Sequence, residues 1–272
     1  MTDLLQRARA RIDWGLAGLP AALALVAIAG LVLWDASPSL SHYMHLAGPD
    51  HHDETAAPEP LALAGLFSAA WLLMTVAHMV PTMIPLLAAF RKVTGEREWR
   101  HGLMLAVVAG FLTVWAVAGI VVSAVHVGIL EALSGVHLDA LGPWLLVFTL
   151  ALAGNYQLSR YANRCLHACR TPLSFLAGRW TGTGRPGREA FGVGLDYGRS
   201  CLGCCAALMV VMFAVGSAGH GWMVLFALLS VLQKNAPWGP KLSKPIGVAF
   251  LAAATIIAFV QVMDVIGPGR TL

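Results

Sequence analysis

Sulfur-bearing side chains recur at helical spacing in the segment SCLGCCAALMVVMFAVG, which runs from Ser200 to Gly216. At about 100° per residue, these side chains all fall on one face of a helix. They are Cys201, Cys204, Cys205, Met209 and Met212. Thiolate and thioether are the ligands that select Cu(I) over harder divalent ions. The spacing predicts a soft-metal site, and the competing interpretation is that the sulfur atoms only fill a helix interface.

A second set of soft ligands lies in WLLMTVAHMVPTMIP, from Trp71 to Pro85. Two pairs sit four residues apart, so each pair shares a helix face. The pairs are Met74 with His78, and Met79 with Met83. Pro81 and Pro85 interrupt the backbone hydrogen bonds and predict a kink. We expect the kink to turn both pairs toward one cavity shared with the cysteine face, where the ionisable His78 near mid-membrane indicates a functional role.

A further thiol pair, Cys165 and Cys169, flanks His167 in NRCLHACRTPLSF. Neighbouring Arg164 and Arg170 favour the thiolate form of both cysteines. This combination predicts a second metal site, for which zinc is the weaker alternative to copper because Cys and His also suit zinc.

Residues 35–60 form an expected external loop that contains SHYMHLAGPDHHDE. Its imidazole and thioether groups suit the capture or release of copper. The candidate ligands are His42, Met44, His45, His51 and His52. A solvated polar loop without a metal role is the alternative interpretation.

Composition indicates the elements that position these ligands. Of the 272 residues, 58% are hydrophobic and 12% are charged, whereas a soluble domain is about a quarter charged. The chain is predicted to be one all-α, polytopic membrane domain over residues 1–272, in contact with the lipid bilayer. Seven apolar windows approach the ~20 residues that cross a bilayer. They are Trp14–Trp34, Leu61–Phe90, Leu103–Val125, Pro143–Leu158, Ser200–Ser217, Trp222–Leu232 and Ile246–Val265.

The basic residues predict the orientation. All but one of the 18 Lys and Arg residues fall on one side of this arrangement, the exception being Arg270. The positive-inside rule then places the N-terminus in the cytoplasm and the C-terminus outside, as in a multi-pass protein of a bacterial inner membrane. Residues 160–190 become a basic cytoplasmic loop, and the cysteines lie on the reducing side.

Nucleic-acid binding is not expected, because the sequence has no run of basic residues with interleaved aromatic residues.

Four motifs, in order from about Trp71 to Gly239, carry a resemblance to a known family. They are WLLMTVAHMVPTMIP, CLHACRTPLSFL, GLDYGRSCLGCCAALM and WMVLFALLSVLQKNAPWG. The chain resembles the predicted metal-binding integral membrane proteins, one branch of which is regarded as copper chaperones for tyrosinase-type enzymes. That family more often has Met at position 78, an aromatic residue at 206 and Glu at 233. The resemblance implies copper binding and delivery.

The leading functional hypothesis is a copper chaperone or insertion factor, rather than an enzyme, that hands Cu(I) to a cuproenzyme or to a soluble copper-binding partner. The alternatives are a membrane thiol–disulfide oxidoreductase that uses Cys201 with Cys204 or Cys205, and a metal-binding subunit of a membrane oxidase or transporter. Thiols on the reducing side disfavour the oxidoreductase. Few polar residues outside the sulfur face disfavour a hydrated transport path.

Overall fold

The structure, a computed structural model, describes residues 25–26, 29–30, 60–95, 99–132, 138–215 and 220–266. Over these ranges the chain is helical and contains no strand, so the all-α prediction is confirmed there. The helices are α1 (Pro60–Met79), α2 (Ile84–Thr94), α3 (Arg100–Ala132), α4 (Leu138–Leu158), α5 (Arg160–Arg170), α6 (Pro172–Ala177), α7 (Pro186–Val215), α8 (His220–Asn235) and α9 (Ser243–Ile266). Single 3₁₀ turns occupy Pro81–Met83 and Gly239–Leu242.

Three segments of the described chain are long and apolar enough to cross a membrane: Arg100–Val125, Pro186–Met212 and Gly239–Asp264. A fourth candidate is the broken pair Ser68–Met79 and Pro81–Thr94, which bends by 41°. The bend confirms the predicted kink, because Pro81 has no N–H to continue the helical ladder. The described part therefore supports three or four spans where seven were expected.

The expected windows differ from the helices for identifiable reasons. Within the described residues, the apolar part of α8, Val224–Asn235, is shorter than the ~20 residues that cross a bilayer. The first window, Trp14–Trp34, lies almost entirely outside the described residues. The membrane-crossing helix expected to begin at Ser200 instead begins at Pro186, because polar residues at its start lower the hydropathy without interrupting the helix.

The region expected as a basic loop, 160–190, is largely helical. It contains α5, α6 and the first residues of α7. Ser159 caps α5 by accepting a hydrogen bond from the Ala162 N–H at 3.1 Å. The helical structure of this region matters for the site, because α5 presents Cys169 to α7.

Glycines allow α3 and α7 to pack with their backbones in close contact. A Cβ atom at Gly194 would collide with the Val107 carbonyl oxygen, and one at Gly110 would collide with the Phe191 carbonyl oxygen. Small residues at such crossings are typical of membrane helix packing. The close approach fixes α7, the helix that carries three of the cysteines.

Trp71 fixes α1 against the same pair of helices. Its ring covers Gly119 of α3, and its indole N–H donates to the Trp115 carbonyl at 2.9 Å. Trp115 itself is fully buried. The anchored α1 therefore carries Met79 and His78 to the side of α7 that bears the sulfur atoms.

Candidate metal centre

Four cysteines from two helices form a buried group that we call the thiol cluster: Cys169 of α5, and Cys201, Cys204 and Cys205 of α7. The Sγ atoms of Cys204 and Cys205 are 3.5 Å apart. The Sγ atoms of Cys204 and Cys169 are 3.8 Å apart. All are free thiols, so the cluster offers adjacent soft donors away from solvent.

Helical spacing on α7 and two hydrogen bonds explain how the cluster assembles. The Cys204 thiol donates to the Cys201 carbonyl at 3.2 Å. The hydroxyl of Tyr197, also on α7, donates to the Cys169 carbonyl at 3.3 Å. The second bond joins α5 to α7 next to the sulfur atoms, so Cys169 enters the cluster through tertiary packing.

Arg170 connects α5 to the end of α8. Its Nη1 donates to the carbonyls of Gln233 at 2.8 Å and Lys234 at 3.0 Å, and Nη2 donates to the Pro237 carbonyl at 3.4 Å. The positive guanidinium also interacts favourably with the negative end of the α8 dipole at these last carbonyls. The contact holds the backbone of Lys234 beside the thiol cluster.

Lys234 is a site residue that the sequence analysis missed, since it was counted only as a basic residue of the loop before α9. Its Nζ lies 2.9 Å from the Cys201 Sγ and 3.1 Å from the Thr82 Oγ1. The Met79 Sδ is 3.9 Å away. The signal that could have found it is its position in the sequence. Lys234 lies at the end of the apolar helix α8, and in the expected arrangement of spans this end lies at the same side of the membrane as Cys201.

Beside the thiol cluster is a narrow opening that we call the thioether cleft. Its potential ligands are Met79 and His78 of α1 with Met209 and Met212 of α7, closed by residues of α8 that include Phe226. The Lys234 Nζ contacts both the Met79 Sδ and the Cys201 Sγ, so Lys234 connects the cleft to the thiol cluster. The structure thus brings these predicted ligands of α1 and α7 together.

Two predicted ligands lie elsewhere. Met74 and Met83 are buried in the helical core, but neither lines the thioether cleft. The break at Pro81–Met83 changes the helix direction between Met79 and Met83, so the two side chains do not continue one ligand row. A copper role for Met74 and Met83 stays a prediction.

The predicted second site is divided by the structure. Cys169 belongs to the thiol cluster, Cys165 packs against Gly203 and Tyr161, and His167 is exposed. Burial raises the pKa of the Cys165 thiol, with an opposing hydrogen bond from Tyr161. Burial therefore shifts this pKa in the opposite direction to the lowering expected from the flanking arginines, and Arg170 itself is directed to the carbonyls of α8. Metal binding by these residues stays a prediction.

The predicted acquisition loop falls outside the described residues. Its candidate ligands are His42, Met44, His45, His51 and His52. Their role stays a prediction.

The donors of the centre favour a soft, weakly charged metal ion. Among the described residues, no three His, Cys, Asp or Glu side chains are already arranged to hold an ion. The thiol cluster instead supplies close pairs of thiols, with thioethers beside them. Among the described residues that line the thiol cluster and the thioether cleft there is no carboxylate, and Asp196 instead contacts Arg179 and Arg199 near the surface. A thiol pair with adjacent thioethers suits Cu(I).

A separate apolar groove of about 540 Å³ opens between α1, α3 and α7. Its lining includes Trp71, Val117, Val121 and Leu202, and it meets the thioether cleft only at Met209. Apart from that sulfur atom, its described lining offers no soft donor, so the groove is not part of the candidate metal centre.

Comparison with known proteins supports this chemistry. The PpoB2 copper chaperone family matches residues 68–257, which is well over half of the chain and includes all of the thiol cluster, the thioether cleft and Lys234. Neither the curated proteins nor the solved structures gave a match. The chain belongs to the PpoB2 copper chaperone family.

Proposed function

We propose that the chain is an integral membrane protein that holds Cu(I) in the thiol cluster and thioether cleft and delivers it to a partner cuproenzyme. The observation that carries this proposal is that the two groups lie on either side of one side chain, Lys234, which contacts Cys201 of the thiol cluster and Met79 of the thioether cleft. Both groups lie within the segment that the copper chaperone family matches. Soft donors placed in this way bind Cu(I) in preference to harder ions.

The arrangement also provides for release. A delivery protein must hold the ion without a barrier that prevents its transfer. Thiols and thioethers side by side let copper exchange one ligand at a time, so that the ion is never without donors in a medium of low dielectric constant, where an isolated charge is very costly. The thioether cleft is the weaker-binding half, since thioethers are neutral, and we assign it to transfer.

The proposed topology has seven spans in a bacterial-type inner membrane, with the N-terminus in the cytoplasm and the C-terminus outside. The motive is the one-sided distribution of Lys and Arg. Reporter fusions at Arg185 and Lys241 are expected to read cytoplasmic, and a fusion at Asp50 is expected to read external. A periplasmic signal at Arg185 would overturn the orientation and the reducing environment assigned to the cysteines.

Copper transfer tests the delivery function. Full-length protein in detergent, loaded with Cu(I), is mixed with a metal-free tyrosinase-type enzyme in the presence of a chelator that removes free copper. We expect enzyme activity to appear with the loaded protein and not with an equal amount of chelated copper alone. Equal activation by both would show that the chain only releases copper to solution.

A further inference from the structure

Lys234 is the one buried Lys or Arg residue within the ranges that the structure describes, with 5% of its surface exposed. Its polar contacts are the thiols of Cys201 and Cys205, the Oγ1 of Thr82 and the Sδ of Met79. None of these is a carboxylate. Burying an ammonium group without an opposite charge is strongly unfavourable, so the position of Lys234 calls for an explanation.

The charge of the proposed copper centre explains why an ammonium group is buried at this position. A Cu(I) ion held by a pair of thiolates has a net charge of minus one, and neutral thioether or imidazole ligands do not change it. In a buried site this negative charge is as unfavourable as the unpaired ammonium. The charge of the copper–thiolate group and the charge of the ammonium sum to zero. The Nζ of Lys234, 2.9 Å from the Cys201 Sγ, is placed to make that pairing.

We propose that Lys234 is the charge-compensating residue of the copper centre, positioned so that its ammonium neutralises a Cu(I) ion bound by two thiolates of the thiol cluster. This inference rests on the proposed function, since it requires that copper binds there. Lys234 acts on the ligands and does not itself coordinate the ion. The role also specifies the cargo: one Cu(I) with two thiolates gives a neutral centre, whereas Zn(II) with the same two thiolates leaves a buried positive charge.

The backbone contacts of Lys234 fit this role. Arg170 holds the carbonyl of Lys234 at 3.0 Å, and the side chain extends from the end of α8 to Cys201 on α7 and Thr82 beside α1. The ammonium therefore lies where three helical segments meet, between the thiol cluster and Met79. A lysine that served only solubility would direct its ammonium to water, as the exposed Lys241 and Lys244 are free to do.

The opposite role, in which the ammonium occupies the place of copper and competes with it, predicts the opposite result. Removing a competitor strengthens copper binding, and removing a compensating charge weakens it. Cu(I) affinity of variants at Lys234 therefore separates the two roles by sign.

The test compares full-length protein in detergent carrying Lys234→Met, Lys234→Gln or Lys234→Arg, with Lys241→Met as the matched control. Cu(I) affinity is measured by competition with a chromophoric Cu(I) chelator. We expect both neutral variants to bind Cu(I) about a hundredfold or more weakly, the loss that follows when one partner of a buried charge pair is removed. Lys234→Arg, which retains the charge, recovers most of the affinity, and Lys241→Met binds as the wild type does.

Thermal unfolding of the metal-free variants separates this role from a structural one. Replacing a buried charge by an apolar side chain of similar volume is often neutral or stabilising, so Lys234→Met is expected to unfold no earlier than the wild type while its copper affinity falls. Equal or tighter Cu(I) binding by Lys234→Met and Lys234→Gln overturns the inference and leaves the proposed function intact. Failure of the wild type itself to bind Cu(I) contradicts the proposed function.

Discussion

Replacing Cys204 and Cys205 together with serine is expected to abolish Cu(I) binding by the purified protein. Cys204 is the centre of the thiol cluster, since its Sγ lies 3.5 Å from that of Cys205 and 3.8 Å from that of Cys169. Serine exchanges two soft donors for hard ones and leaves no thiol pair that includes Cys204. Copper content by mass spectrometry, after loading and removal of loosely held metal, measures the result.

Cys165→Ser is the matched control for this pair. Cys165 is also a free thiol close to α7 but lies outside the thiol cluster, against Gly203. The control is expected to retain the copper content of the wild type. If the double variant holds as much copper as the wild type, the cysteine face of α7 serves packing only.

Replacing Gly194 with alanine is expected to have the largest effect on stability. The added Cβ collides with the Val107 carbonyl oxygen of α3, a backbone atom that cannot rotate away. Overpacking of this kind costs about 1–3 kcal/mol and sometimes more. The added methyl group pushes α3 from α7, so a lower midpoint of thermal unfolding in detergent is the expected measurement.

Gly192→Ala, two residues earlier on the same helix, is the matched control. Nothing lies within 4 Å of a Cβ at Gly192, and alanine favours a helix over glycine by up to about 1 kcal/mol. This variant is expected to be as stable as the wild type or slightly more stable. Equal destabilisation by the two substitutions would mean that the close α3–α7 contact does not hold the bundle together.

Local patterns predicted much of the arrangement from sequence. Three- and four-residue spacings place Cys201, Cys204 and Cys205 on one face whatever the rest of the fold does, because the α-helix has a fixed period. Proline chemistry likewise predicted the bend at Pro81. These inferences need only neighbouring residues, and they hold in the structure.

Contacts between distant segments were not predictable in the same way. Cys169 was grouped with Cys165 and His167 because they are neighbours in sequence, but the hydrogen bond from Tyr197 directs Cys169 to the thiol cluster. Lys234 was counted only among the basic residues that predict the membrane orientation. A count of charges along the sequence does not show whether a side chain points to water or into the bundle. The start of α7 was placed too late because polar residues there lower the hydropathy without interrupting the helix.

The central claim is that copper binds as Cu(I) to sulfur in this bundle. X-ray absorption at the copper edge, on copper-loaded wild-type protein in detergent, tests this claim most directly because it reports the oxidation state and the neighbouring atoms together. The account predicts an edge typical of Cu(I) and a first shell made mainly of sulfur. Cu(II), or a first shell of only nitrogen and oxygen, would contradict it.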